Sequence, residues 1–211
     1  MTTIASDEQA IALLRTALES GLDDGAAVQF QGWPTVGFKL TGAHYHGTIT
    51  AGQAQALLDF QRAVEHAYVQ LVAPATKRLT AQEKRQLAVT ARAQEGSSLV
   101  TYDLNEALTH IASQLIGKMS PSDIIITVLG LGVIAGSTVV AKAYLKERSD
   151  RLAKDADLQS RLALSQHEIE RMKVLADAIQ RQPRLAVVKD DFDEARDGVL
   201  RSSVDASAFE L

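Results

Sequence analysis

The chain has 211 residues, 22 of them basic and 26 acidic, for a formal net charge of −4. That balance excludes a uniformly basic nucleic-acid coat or a polybasic anchor, while leaving room for local patches. The sequence has no cysteine, which removes disulfides, thiolate metal sites and cysteine nucleophiles and suits a reducing compartment.

The first residues, MTTIASDEQAIALLRTALES, lack a basic segment followed by an apolar one and do not read as a secretory signal. Ser6-Asp7-Glu8-Gln9 reads as a capping box that opens an amphipathic helix with Ile11, Leu14 and Leu18 on one face. Gly21 and Asp23-Asp24-Gly25 stop it. Three β-like runs follow, Ala27 to Trp33, Val36 to Leu40 and His44 to Thr50, with alternation such as Val28/Phe30 and Phe38/Leu40. A helix is expected from about Gln53 to Val72, apolar at Leu57, Phe60, Val64, Ala67 and Leu71. Thr80-Ala81-Gln82-Glu83 is a second capping box. Leu87 to Ala93 and Ser98 to Leu104 read as paired strands around Glu95-Gly96-Ser97, and Asn105 is expected to cap a helix reaching about Met119. Residues 1–119 therefore read as one α+β sensor or regulatory domain with a largely antiparallel sheet.

From Ile124 to Ala141 runs an uncharged stretch of about 18 residues, IIITVLGLGVIAGSTVVA, which as a helix would extend about 27 Å. Ser120-Pro121 supplies an N-cap with proline in the first turn. Asp123 bounds the stretch on one side, and Lys142, Lys146, Arg148, Arg151 and Lys154 follow on the other. Residues 120–142 are accordingly expected to form an apolar transmembrane helix, the alternative being a glycine-rich core helix. Gly132 and Gly136 form a GxxxG pair suited to close helix packing. Thr127, Leu131, Ile134 and Thr138 share another stripe that would line a pore if several copies surrounded an axis. Thr127 and Thr138 can equally bond their own backbone carbonyls.

Residues 143–182 continue as an amphipathic helix. Leu158, Leu162, Ser165, Ile169, Met172, Ala176 and Ile179 alternate 4/3 along it, a coiled-coil-like seam for oligomerisation. In residues 183–211, Leu185 to Val188 read as an edge strand, followed by an acidic tail with Asp190, Asp191, Asp193 and Glu194.

No residue set reads as catalytic. His44 and His46 share a strand face without a third ligand or an HExxH pattern, so no metal or other cofactor is expected. Gly96-Ser97-Ser98 lacks the surroundings of a nucleophile elbow. Lys39, Lys84, Arg85 and Arg92, with Lys77 and Arg78 nearby, are candidate contacts for an anionic ligand, with Trp33, Phe38 and Tyr45 as stacking surfaces.

Gly32-Trp33-Pro34 in an α+β domain, the helix LLDFQRAVEHAYVQL, the EGSS hairpin, and an apolar segment leading into a charged helix together resemble the channel effector of Hailong anti-phage defence systems in bacteria. The resemblance implies a homo-oligomeric ion channel, a tetramer, in the lipid of the inner membrane. It would be gated by a nucleotide or oligonucleotide from a partner nucleotidyltransferase. The positive residues after the apolar helix favour a cytoplasmic C-terminal part. The competing expectation is a soluble homo-oligomeric interaction protein whose apolar helix is buried between subunits.

Overall fold

The computed structural model describes residues 2–22, 28–39, 51–73, 78–93, 99–136 and 156–208. Strand β1 (Thr2–Ile4) leads into α1 (Asp7–Ser20), where Ser6 accepts from the Gln9 backbone N–H and the Gln9 side chain caps Ala5 N. Ala10, Leu14 and Ala17 form the buried face of α1. Strand β2 (Val28–Phe30) pairs in parallel with β1. Strand β3 (Thr35–Lys39) follows, then α2 (Ala51–Leu71) and the short α3 (Ala81–Gln86), whose Thr80–Glu83 capping box is complete. Strands β4 (Thr90–Ala93) and β5 (Leu99–Asp103) pair antiparallel, and β3 joins the other side of β5 to give the order β3-β5-β4. Helices α4 (Asn105–Leu115), α5 (Pro121–Ala135), α6 (Ala156–Arg181) and α7 (Arg184–Ala208) complete the described elements. Leu104 occupies the N-cap of α4 and Asn105 its first turn.

The fold is mostly helical with two small sheets, which corrects the expected α+β domain followed by a membrane helix and a coiled-coil extension. The decisive element is α5. Every residue from Ile125 to Gly136 is buried, and α1, α4, α6 and α7 of the same chain pack around it. A helix apolar on all sides must leave water, but either a bilayer or a shell of amphipathic helices can receive it. Here its own chain supplies the shell. At 15 residues the helix is about 22 Å long, short of a hydrocarbon core of about 30 Å. Among the described residues no helix is long and apolar enough to cross a membrane. The expectation of a transmembrane ion channel falls with it. Residues 137–141 of the apolar run lie outside the described residues.

Two further readings are corrected in the same region. Leu185 to Val188 are helical, and the acidic residues after them belong to the same helix α7. Leu185, Val188, Phe192 and Ala195 are its buried stripe, spaced at helical intervals. Helix α7 makes its broadest contact with α2, where the Phe60 ring lies between Phe192 (6.1 Å) and Tyr102 (5.6 Å). Burial pushes the Tyr102 phenol up to about 12.

Candidate functional site

Both ends of α5 are tied down by polar groups from elsewhere in the chain. At the N-terminus Ser120 Oγ accepts from Asp123 N and donates to Asp123 Oδ2, while Arg181 Nε donates to Asp123 Oδ1 at 3.2 Å. The Ser120 hydrogen bond, then Arg181, holds the Asp123 carboxyl below its ordinary range. Near the C-terminus the buried Arg171 of α6 donates to the Val133 carbonyl at 2.6 Å, which brings a cation to the negative end of the helix. Its guanidinium also lies 3.4 Å from Asp7, whose other oxygen accepts from Trp33 Nε1 at 2.7 Å.

The predicted pore and packing residues fall within this assembly. Thr127 donates to its own helix at the Asp123 carbonyl, 2.7 Å away. Leu131 and Ile134 are each 1 % exposed within the chain's own core. Gly132 lies beneath the Trp33 indole, and Gly136 beside Pro34 and Asp7, so the GxxxG pair packs against segments of its own chain. Thr138, His44 and His46 lie outside the described residues.

The candidate anion-binding residues fall on three elements, α3, β4 and β3. Lys84 and Arg85 occupy the last turn of α3, and Lys84 lies 3.6 Å from Glu65. Arg92 on β4 faces Asp103 at 4.0 Å. Lys39 ends β3 opposite Leu99.

The seam on α6 has a different character. Arg171, Val174, Leu175 and Ala178 turn toward the core. Ile169 and Met172 are 53 % and 63 % exposed, Ala176 is exposed and Ile179 half-buried. With about 100° per residue, this second stripe lies roughly a third of a turn around the helix from the core-facing one. Glu170 on another flank pairs with Arg15 of α1. With Ile169 and Ala176 in a positions and Met172 and Ile179 in d, exposed Glu168 occupies g and exposed Lys173 occupies e. The side chains of Leu158 and Leu162 lie outside the described residues.

A polar cleft of about 340 Å³ separates α2 from α7 near Asp59, Arg62, His66, Asp191 and Glu194. His66 Nε2 accepts from the Gln70 amide at 3.0 Å, which places the proton on Nδ1, 2.5 Å from Asp191 Oδ2. The dyad joins residues 125 positions apart, so no local motif marks it. Its only sequence traces are the helical spacings Asp59/Arg62/His66 and Asp191/Glu194/Gly198. No serine, threonine, cysteine or lysine lines the cleft among the described residues, and no group of three His, Asp or Glu there is suited to hold a metal.

Comparisons with family models, with curated proteins and with solved structures returned no match to this chain.

Proposed function

We propose that this chain is a self-associating interaction module in which α6 of one copy pairs in parallel with α6 of another. One observation carries the reading: the heptad positions Ile169 and Met172 stand exposed, while a separate stripe anchors the same helix to its own core. Exposed aliphatic side chains scattered singly need no explanation, but a heptad row of them is what a partner helix requires. The flanking charges favour the parallel orientation. There, Glu168 at g of one copy faces Lys173 at e of the other, whereas antiparallel pairing sets like flanks together.

Burying Ile169 and Met172 contributes about 1.5–3 kcal/mol per side chain before the cost of association. The assembly is therefore a concentration-dependent equilibrium rather than an obligate unit. Light scattering on the full chain across a concentration range should show mass rising with concentration. Ile169→Glu/Met172→Glu should hold the monomer mass throughout while the thermal midpoint stays within about 2 °C, since both positions are exposed. Glu168→Lys should weaken association and Glu168→Lys/Lys173→Glu should restore it. A parent chain whose mass never changes with concentration, or a double Glu variant that associates like the parent, refutes the proposal.

A further inference from the structure

A second cleft, of about 570 Å³, opens between α4, α5 and β2. Val128 and Leu129 form its floor, and both are buried. Phe30 and Ile124 also line it, as does Ile116, which is 72 % exposed. Gly117, at φ +79°, turns the chain there between α4 and α5. The volume falls within the range of small-molecule sites, and three separate elements give the cleft concave walls.

No charged side chain lines it among the described residues. A ligand carboxylate, phosphate or ammonium seated there would lose water without gaining a counter-charge, which is strongly unfavourable. Two hydroxyls interrupt the apolar lining. Thr109 Oγ donates to Asn105 Oδ1 at 3.3 Å, and Ser113 Oγ donates to the His110 carbonyl at 2.7 Å. Each hydroxyl has one proton, and both protons are already engaged. What the two hydroxyls offer a ligand is therefore lone pairs, so the matching group on the ligand is a donor.

We propose that this cleft binds a neutral amphiphile: an apolar chain seated on Val128 and Leu129, ending in an uncharged hydrogen-bond donor such as an alcohol or amide N–H near Thr109 and Ser113. The lining selects against fatty-acid anions and nucleotides through its lack of cations. Exposed Ile116 is the side chain that a bound chain would cover. The inference is independent of the α6 surface, which lies on another element.

Nile red fluorescence titrated with the full chain reports occupancy, and 1-decanol and decanoate at pH 7.5 serve as competitors of equal chain length. Decanol should displace the dye at concentrations about tenfold lower than decanoate. Ser113→Trp places an indole over the mouth from an exposed position and should weaken dye and decanol binding by about tenfold with an unchanged thermal midpoint. Ile116→Lys, also at an exposed position, supplies the missing cation and should raise decanoate affinity by about tenfold, while decanol, which loses the Ile116 contact and gains no counter-charge, should bind no more tightly than to the parent. Absence of saturable dye binding overturns the proposal. So does equal competition by the two amphiphiles, or parent-like binding by Ser113→Trp. If dye binding instead vanishes in Ile169→Glu/Met172→Glu, the site belongs to the intersubunit face and the cleft assignment is wrong.

Discussion

Replacing Gly132 by alanine adds one carbon where the Trp33 indole already lies. A Cβ there would sit 2.2, 2.6 and 3.1 Å from Trp33 Cη2, Cζ3 and Cζ2. Ordinary carbon contact begins near 3.5 Å, so the ring must retreat by roughly 1.3 Å. It has little room to do so, being only 4 % exposed and held by its 2.7 Å hydrogen bond to Asp7. A shift of that size stretches the bond to about 4 Å, beyond hydrogen-bonding range. Overpacking costs about 1–3 kcal/mol, and losing a hydrogen bond to a charged group about 1.5–3 kcal/mol. The better helix propensity of alanine returns about 1 kcal/mol. The net expectation is a loss of about 3 kcal/mol, or roughly 6–12 °C in thermal midpoint for a domain of this size. Urea denaturation followed by circular dichroism measures it. Gly130→Ala is the internal comparison: its Cβ meets the end of the flexible Leu185 side chain at 2.8 Å, so its cost should stay below about 1.5 kcal/mol. Trp33→Leu combined with Gly132→Ala should be less destabilised than the sum of the single changes, by at least about 1 kcal/mol. A Gly132→Ala chain as stable as the parent would refute the seating of Trp33 on this glycine. A change in oligomer mass at full stability would instead return Gly132 to a helix–helix interface.

Two other perturbations test the ends of the same helix. Arg171→Met keeps the length of the side chain but removes its bond to the Val133 carbonyl and its pairing with Asp7; a loss of about 2–3 kcal/mol in urea unfolding is expected, and a loss below about 0.5 kcal/mol would show that the guanidinium does not hold the α5 terminus. The Asp123 carboxyl is depressed in the folded chain, by Ser120 first and Arg181 next, so its stabilising contribution is present above the ordinary value of 3.8 and is lost as pH falls through the lower folded value. Urea midpoints taken from pH 5 down to pH 2.5 should therefore decline, and Asp123→Asn should decline less steeply over that interval; parallel curves would remove Asp123 from the acid response.

The sequence determined what depends on neighbours a few residues apart. Thr80 through Glu83 specify their capping box, and Ser120-Pro121 specify the start of α5, because the groups concerned sit within one helical turn. The β4–β5 pairing was legible from two apolar runs close in sequence, but the addition of β3 to the far edge of β5 was not, since either edge of β5 offers the same backbone groups. Leu185 to Val188 misled because four residues are too few to separate a strand from a helix. Extended to Phe192 and Ala195, the spacing is helical and its apolar stripe meets α2. On α6 two apolar stripes compete, and only packing assigned Val174, Leu175 and Ala178 to the core while leaving Ile169 and Met172 outside.

The same division governs the site residues and the apolar helix. His66 and Asp191 meet only because α2 and α7 pack together, and Arg171 reaches the end of α5 from another helix. Composition required α5 to leave water, since residues 124–136 carry no charge. It did not name the medium, because hydrocarbon and a protein interior favour the same side chains. That choice belongs to the surrounding helices, whose apolar faces cover α5 only once the chain has folded.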